Sequence, residues 1–349
     1  MTYDLAVFVG RFQPFHNGHK AVINHALTIA DRCLVIIGSA YEPRSLRNPW
    51  IFSERKKMIL SAYDEAERER IICKPLRDIR YNDVLWATIV QKLVYETVDD
   101  PDTSNISLIG RESKQSGYYT SLFPQWDNTA VQHNHDVNGA DIRENLFGDS
   151  HRGDVYGGDG DSSLAYASLP ATLGQSIKAF MTTDPALALI EEYQFIQKYR
   201  SGWDKVPFKP THVTVDAVVV QSGHVLLVER GARPGQGLHA LPGGFIHHDE
   251  KLEDAMVRKL REETKLKVPA PVIQGSIRKK QVFDAPFRSM RGRTITHAFY
   301  VRLRDRESLP KVKGGGEASQ CFWWPLGRLD SSLMFEDHYY IIQTMLGIL

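Results

Sequence analysis

The chain has 349 residues, of which 42% are hydrophobic and 24% are charged, and its formal net charge is +1. This length and composition indicate two globular domains of ordinary size. The near-neutral charge gives no reason to expect a general nucleic-acid or membrane surface. An anionic ligand, if there is one, must therefore meet local basic residues.

Three cysteines, Cys33, Cys73 and Cys321, lie far apart and show no metal-binding spacing. They are interpreted as buried thiols in a reducing compartment. The N-terminus lacks a basic-then-apolar signal segment, and no apolar run is long enough to cross a bilayer. We therefore expect a cytoplasmic protein.

The first part of the chain alternates strands and helices. Strands are predicted at 5–9, 33–37, 71–73 and 106–109, and helices at 18–30, 53–66 and 84–98. In the second helix, Ser53 is the expected N-cap and Arg55, Lys56 and Lys57 are expected on the polar side. Apolar strands between helices predict a doubly wound, parallel, Rossmann-like sheet. Gly10, Gly38 and Gly110 fall at the carboxyl ends of strands, where ligands bind in such sheets.

A loop, two helices and a linker follow the first part of the chain. Residues 148–163 predict a mobile loop, 173–181 and 185–199 predict helices, and 205–210 form a proline-stiffened linker. From Thr211 onward the sequence pattern differs from that of the first part. A hairpin around Ser222-Gly223 follows, with strands at 213–220 and 224–229. Further elements are expected in this order: a helix at 252–265, strands at 275–278, 294–302 and 321–324, and a helix at 338–346. We expect a first domain over 1–183, a helical linker over 184–210, and an α/β/α domain with a mixed sheet over 211–349.

Residues 10–19, GRFQPFHNGH, join the first strand to the first helix. At a helix start, the spacing of His16 and His19 puts both imidazoles on one face, beside free N–H groups and the positive end of the dipole. Such donors can stabilise charge on a phosphate under attack, and Arg11 can bind phosphate oxygens with its guanidinium fork. The alternative is that both histidines are only capping or turn residues.

A second motif lies at 244–266. Gly244 is followed after five residues by Glu250, and after seven more by the run RKLREETKL. A loop and helix of this pattern bring several carboxylates to one face, where they can bind Mg²⁺. A metal bound in this way can activate water.

With these motifs, residues 1 to about 150 resemble the archaeal-type nicotinamide mononucleotide adenylyltransferases, and the rest resembles a Nudix domain. Together they resemble the bifunctional nicotinamide mononucleotide adenylyltransferase/Nudix hydrolase family. The resemblance implies an enzyme that makes NAD and pyrophosphate from ATP and nicotinamide mononucleotide. It implies Mg²⁺, for which Mn²⁺ can substitute, and ADP-ribose as the Nudix substrate, cleaved to AMP and ribose 5-phosphate. Nucleic acid and membrane are not expected partners, and a homo-oligomer is left open.

The resemblance also implies roles in the first domain. The expected catalytic residues are Arg11, His16, His19 and Arg143. The same four residues are expected to bind ATP, together with Gly10 and Gly110. The residues expected to bind the mononucleotide are Phe12, Arg47, Asn82 and Trp86. The amide of Asn82 reads the carboxamide, and the indole of Trp86 packs on the pyridine. Arg143 binds the β- or γ-phosphate, although Ala140 replaces a hydroxyl residue common in relatives. The segment from Arg111 to Tyr119 frames the adenine with Gly110. The alternatives are an ordinary surface arginine at position 47 and a core tryptophan at position 86.

In the Nudix segment, the implied metal ligands are Glu250, Glu262, Glu263 and Glu317, with Glu263 also catalytic. The motif at 244–266 corresponds to the conserved motif of that family, the Nudix box. Lys265 replaces the last glycine of this box, and Lys259 replaces a glutamate that is a metal ligand in the family. Its ammonium is expected beside Glu262 and Glu263, unless it swings to solvent. Arg288, Arg291 and Arg293 are expected to bind ADP-ribose, the alternative being a charged hairpin. A second hypothesis is a Nudix domain that binds ADP-ribose or NAD as a sensor without cleaving it.

Overall fold

The computed structural model describes residues 2–111, 121–132, 138–148 and 162–348. The chain divides into two compact units, Met1–Tyr193 and Gln194–Leu349. The predicted domain ends at 183 and 211 stay predictions. Of the predicted loop 148–163 and the predicted adenine segment, residues 149–161 and 112–119 lie outside the described residues.

The first unit alternates strands and helices as predicted. Its elements are β1 (Tyr3–Gly10), α1 (Asn17–Ile29), β2 (Ala30–Ile37), α2 (Phe52–Leu60), α3 (Glu65–Arg70), β3 (Ile71–Pro75), α4 (Asp83–Tyr95), β4 (Ile106–Arg111), β5 (Asp127–Val131), α5 (Gly139–Gly148), α6 (Ser162–Ala167), α7 (Gly174–Met181) and α8 (Asp184–Ser201), which continues into the second unit. The strand β5 and the helix α6 were not anticipated from the sequence.

All five strands of the first sheet are parallel, in the order β3-β2-β1-β4-β5. Alternate residues of β1 enter different cores: Ala6 and Phe8 belong to one hydrophobic cluster, and Leu5 and Val7 to another. Because side chains alternate across a strand, the sheet is covered on both faces. This confirms the predicted doubly wound fold.

The predicted helix at 53–66 is wrong in three respects. It is two helices, because Asp64 starts α3 with a capping box: its side chain accepts from the N–H of Glu67, whose carboxylate accepts from the N–H of Asp64. Ser53 is not the cap, since α2 begins one residue earlier with Ile51 as N-cap. Arg55 is fully buried rather than on a polar side.

The second unit contains the predicted mixed sheet. Its elements are β6 (His212–Gln221), β7 (His224–Arg230), β8 (His239–Ala240), β9 (Gly243–Phe245), α9 (Leu252–Thr264), α10 (Ala270–Gly275), β10 (Ile277–Phe283), β11 (Thr294–Arg302), β12 (Ala318–Pro325) and α11 (His338–Leu346). The main order is β10-β11-β6-β7-β12, with β8 on β7 and β9 on β6. The β6–β11 pair is parallel, and the other pairs are antiparallel. The predicted strand at 275–278 is displaced, since residue 275 ends a helix and the strand runs from 277 to 283.

The three cysteines are free thiols, Cys33 buried and the other two half-buried. Within the described ranges, no helix combines the length and hydropathy that a bilayer span requires.

The backbone of Gly243 leaves no room for a side chain. It pairs with Asp216 across β9 and β6, and a Cβ here would lie 2.3 Å from both Asp216 Oδ1 and the carbonyl oxygen of Val215. Overpacking of this kind costs about 3 kcal/mol. We therefore expect Gly243→Ala to lower the melting temperature of the second unit by about 10 °C in calorimetry of the full chain. Gly275→Ala is the control, because a Cβ there meets nothing within 4 Å; equal melting temperatures for the two variants would contradict the expectation.

Candidate active sites

The turn between β1 and α1 lies at the carboxyl edge of the first sheet. His16 is the N-cap of α1, and its Nδ1 accepts from the N–H of His19 at 3.4 Å. The two imidazoles stack with ring centroids 3.6 Å apart. The structure thus places both rings side by side at the helix start, as expected, and the capping alternative also holds for His16. Because Nδ1 is the acceptor, Nε2 carries the proton of a neutral His16 ring.

The ring of His19 is held by aromatic neighbours. Phe12 lies 4.8 Å from it, and Phe15 stacks on it at 5.9 Å. Phe12 itself is buried in the core, where its ring packs against His19, and its expected role in binding the mononucleotide stays a prediction. Gly10 is required for this packing, since a Cβ there would lie 2.9 Å from the Phe12 ring.

Basic residues surround the same turn. Arg11 is exposed, whereas Arg47 is half-buried and Arg143 is largely buried. Burial, together with the positive charges of Arg11 and Arg47, lowers the pKa of Arg143 to about 10. Cations that repel one another in this way form a site that an anion would stabilise.

Two of the three guanidinium nitrogens of Arg143 bond to backbone. Nε donates to the carbonyl oxygen of Leu46 at 3.0 Å, and Nη1 donates to those of Gly139 at 2.9 Å and of Gln13. Arg143 thus ties the start of α5 to the β1–α1 turn. Nη2 takes no part in these bonds, and the expected binding of the β- or γ-phosphate stays a prediction.

The predicted mononucleotide residues lie where α4 begins. Asn82 is the N-cap of α4, and its Oδ1 accepts from the N–H of Leu85 at 3.0 Å. Its Nδ2 group is therefore the part that can meet a carboxamide oxygen. Trp86 is half-buried, 6.0 Å from Phe123, at the edge of one hydrophobic cluster of the sheet. Gly110 lies in β4 with nothing within 4 Å of an added Cβ, so no steric demand explains it.

In the second unit, the box turn and α9 bring Glu263 to the backbone of Gly243. The Gly243 N–H donates to Glu263 Oε2 at 3.1 Å. Burial, with the negative charges of Glu317 and Asp216, raises the pKa of Glu263 to about 7, against the opposing effects of the Gly243 hydrogen bond and of Lys259. Lys259 remains at the site, with its side chain 20% exposed and against Gly244, so the solvent alternative is wrong.

Two of the four expected metal ligands, Glu250 and Glu262, are paired with cations. Glu250 accepts a bidentate pair of hydrogen bonds from Arg258, which lowers its pKa to about 2. Glu262 lies 3.1 Å from the same guanidinium and 3.9 Å from the Lys259 ammonium. In the described part of the chain, no three His, Cys, Asp or Glu residues are grouped so that they could hold a metal. The set of Glu250, Glu262, Glu263 and Glu317 therefore does not fit a divalent cation in this arrangement.

The pocket beside the box is lined by Lys259 and Glu263 together with several arginines. Arg291 lies 5.1 Å over the ring of Phe245, and Arg230 lies 4.0 Å over the ring of Phe335. The pKa of Arg230 is lowered by burial and then by the charge of Arg291. Arg230 was not predicted as a site residue, because its position at the end of β7 was the only signal in the sequence.

Two of the three arginines that were expected to bind ADP-ribose lie beside carboxylates of this unit. Arg288 is buried and forms a bidentate ion pair with Asp337 at 2.8 and 2.9 Å. Arg293 lies 3.6 Å from Asp284 on the surface. The hairpin alternative agrees with the topology, since β10 and β11 form an antiparallel pair. Of the three arginines, Arg291 is the one whose guanidinium faces the pocket without an ion pair among the described residues.

Comparisons with known proteins assign both units. The NUDIX domain family matches residues 210–345, and the Cytidylyltransferase-like family matches residues 7–113. The nicotinamide/nicotinic acid mononucleotide adenylyltransferase of Acinetobacter baylyi is 30% identical over 192 residues, which are 55% of this chain and 94% of that protein. The nicotinamide-nucleotide adenylyltransferase of Thermococcus onnurineus is 39% identical over 34% of this chain and 63% of its own length.

The crystal structure of a bifunctional NMN adenylyltransferase/ADP ribose pyrophosphatase from Francisella tularensis matches 99% of this chain and 99% of its own, with a TM-score of 0.90 and 32% identity. The same protein complexed with AMP and a Mn ion matches with a TM-score of 0.89. Identity at this level over the full length of both chains shows the family. This chain belongs to the bifunctional nicotinamide mononucleotide adenylyltransferase/Nudix family.

Proposed function

We propose that the first unit transfers the adenylyl group of ATP to nicotinamide mononucleotide. The observation that carries this proposal is the stacked pair His16 and His19 at the start of α1, beside the mutually repelling guanidiniums of Arg11, Arg47 and Arg143. Imidazole N–H groups, the helix N-terminus and fixed cations together suit a triphosphate.

The chemistry is an in-line displacement at the α-phosphorus of ATP. A phosphate oxygen of the mononucleotide forms a bond to that phosphorus, the bond to the β-phosphate oxygen breaks, and pyrophosphate leaves with the electron pair. No covalent enzyme intermediate is needed, so the protein acts by orientation and charge stabilisation. His16 and His19 donate to the α-phosphate, Arg11 binds phosphate oxygens, and Mg²⁺ enters as the ion bound to ATP.

Replacement of His19 tests this assignment. We expect His19→Ala to reduce kcat for NAD formation by about 100-fold or more, because a donor to the developing charge is lost. The melting temperature should change little, since the ring is only half-buried. His25→Ala, a change of the same residue type on α1, is the control. An unchanged kcat in His19→Ala would refute the role given to this ring.

The nicotinamide site is proposed at Asn82 and Trp86, with Arg47 toward the mononucleotide phosphate. Asn82 Nδ2 is available to a carboxamide oxygen because Oδ1 caps α4. Trp86 is half-buried, so part of its indole can meet an electron-poor pyridinium ring.

Trp86→Ala separates a binding role from a packing role. We expect the KM for the mononucleotide to rise about 10-fold while the KM for ATP stays within a factor of two, because a cation–π contact of about 1–2 kcal/mol is lost. Trp126→Ala is the control, since Trp126 is buried and stacks on the same Phe123 at 4.8 Å. Steady-state kinetics with each substrate varied will show it. Equal effects on both KM values, matching those of Trp126→Ala, would leave Trp86 as a core residue.

For the second unit we propose ADP-ribose as the ligand, cleaved slowly to AMP and ribose 5-phosphate. In that reaction water bonds to one phosphorus of the diphosphate and the bridging P–O bond breaks. Arg291 supports the ligand class, because its buried Nε has no hydrogen-bond partner among the described residues and its guanidinium faces the pocket with Arg230. Two such guanidiniums suit a diphosphate. The F. tularensis protein of the same architecture is named an ADP ribose pyrophosphatase.

Slow cleavage follows from the cations at the box. The Lys259 ammonium lies 3.9 Å from Glu262 and its charge acts on Glu263, so it competes for carboxylates that a divalent ion would use. The alternative, in which the unit binds ADP-ribose as a sensor and does not cleave it, is not favoured, because the F. tularensis protein of the same architecture is named an ADP ribose pyrophosphatase.

Lys259→Glu distinguishes the two outcomes at this site. We expect the variant to release AMP from ADP-ribose with Mg²⁺ at least about 10-fold faster than the parent chain, because a competing cation becomes a carboxylate. Lys267→Glu makes the same charge change at an exposed position and is the control. AMP release by the parent chain excludes a pure sensor. A slower rate in Lys259→Glu would contradict the competition and give the lysine a catalytic part of its own.

A further inference from the structure

Arg55 is a buried cation that is bound by neutral groups. It is 0% exposed, and its guanidinium donates to the carbonyl oxygens of Arg11 at 2.6 Å, Gly38 at 2.6 Å and Ser39 at 3.0 Å. Among the residues that the structure describes, no carboxylate lies within ion-pair distance of it. Carbonyl oxygens satisfy its hydrogen bonds but leave its positive charge uncancelled, which is a costly arrangement for a side chain in a core.

The three carbonyl groups belong to the ends of two neighbouring strands. Arg11 follows β1, Gly38 and Ser39 follow β2, and the two strands pair in parallel up to Gly10 and Ile37. One side chain from α2 therefore ties both strand ends together at the edge where the proposed ATP site lies.

A carboxylate holds Ser39 from another side. Ser39 has φ of +49°, and Asp78 accepts from both its N–H at 2.9 Å and its hydroxyl at 2.7 Å. A left-handed serine needs such restraint to persist. Arg55 and Asp78 thus fix the same short loop through its carbonyl and its N–H group respectively.

The contact to Arg11 also sets the direction of the next amide. The Arg11–Phe12 peptide is trans, so its N–H points opposite to its carbonyl. Because the carbonyl of Arg11 faces the Arg55 guanidinium, the N–H of Phe12 faces away from it. Arg143 holds the carbonyl of Gln13 in the same way. The backbone of the turn is therefore held by two guanidiniums whose charges lie behind it.

The electrostatics agree with this geometry. Burial lowers the pKa of Arg55 to about 10, Asp78 opposes that change, and the charge of Arg11 adds to it. A group with this pKa stays protonated at pH 7. Arg11, Arg55 and Arg143 consequently form a group of cations that an arriving triphosphate would relieve.

We propose that Arg55 is a positioning residue for adenylyl transfer. Its guanidinium fixes the β1–α1 turn in the shape that receives the triphosphate of ATP and supplies a constant positive charge behind it. This inference rests on the proposed placing of ATP at the β1–α1 turn. It concerns a residue that the sequence placed on the exposed side of a helix.

The chain contains a matched arginine at the opposite end of the same sheet. Arg70 also donates to three carbonyl oxygens, those of Asp31 at 2.9 Å, Leu27 at 2.8 Å and Ala30 at 2.7 Å. These lie around the start of β2, away from the carboxyl edge. Arg70 therefore also ties backbone carbonyl groups together, but it lies away from the proposed ATP site.

Arg55→Met and Arg70→Met in the full chain test the inference. Both remove a guanidinium and keep a side chain of similar length, so both should lower the melting temperature. We expect Arg55→Met alone to reduce kcat/KM for ATP, by about 100-fold, because a displaced backbone cradle misaligns the α-phosphate. The affinity for inorganic tripolyphosphate, measured by calorimetry, should fall in Arg55→Met and not in Arg70→Met. A kcat/KM within about threefold of the parent chain, or equal losses in both variants, would overturn the proposal.

If a methionine variant does not fold, Arg55→Lys and Arg70→Lys are compared instead, by the same kcat/KM for ATP and the same affinity for tripolyphosphate. Lysine keeps the charge but cannot bridge three carbonyl oxygens, so kcat should fall more than the affinity for tripolyphosphate. His19→Ala is assayed beside them. If His19→Ala is inactive while the Arg55 variants keep full activity, the inference about Arg55 fails and the proposed function stands. If His19→Ala is also fully active, the placing of ATP at this turn is itself wrong.

Discussion

The carbonyl oxygens at the carboxyl edge of the first sheet must be satisfied where the chain leaves each strand, and this requirement organises the site. Parallel strands end at one edge, so their last carbonyl groups gather there without a ladder partner. In this chain guanidinium groups supply the donors, Arg55 at the ends of β1 and β2 and Arg143 at Gln13. Because cationic groups satisfy these carbonyl oxygens, the edge is positive where a triphosphate is proposed to bind.

These arginines of the two units differ in the partners that their guanidinium groups have. In the first, Arg55 and Arg143 donate to carbonyl oxygens, so their charge remains available to an anion. In the second, Arg258 is paired with Glu250, and Arg288 with Asp337. Such pairs cancel charge and fix geometry, and the Arg288–Asp337 pair does so in the core. The difference explains why the first unit is ready for a phosphate substrate, whereas the box of the second is short of uncommitted carboxylates.

Local sequence patterns predicted the elements well where a single strong signal decided them. The helix at 338–346 and the hairpin around Ser222 and Gly223 are confirmed, because apolar periodicity and turn residues act over short distances. The helix over 53–66 failed because the capping box of Asp64 outweighs continuity of the pattern. The spacing of His16 and His19 predicted that both rings lie on one face at the helix start, and the structure places them side by side there.

The roles of single arginines could not be predicted from sequence, because they depend on partners far along the chain. Arg55 is held by the ends of two strands, Arg143 by residue 13, and Arg288 by Asp337. An arginine near a motif suggests a phosphate ligand, and only tertiary structure shows whether a carbonyl or carboxylate has already taken its donors. Arg230 was overlooked for the converse reason: its place beside Arg291 requires the folded sheet.

The central claim is that the first unit joins two mononucleotides at the β1–α1 turn. Product analysis of the purified full chain with ATP, Mg²⁺ and either nicotinamide or nicotinic acid mononucleotide tests it most directly. The account predicts a dinucleotide and pyrophosphate in equal amounts, formed from at least one of the two mononucleotides. Pyrophosphate without a dinucleotide, or neither product, would contradict it.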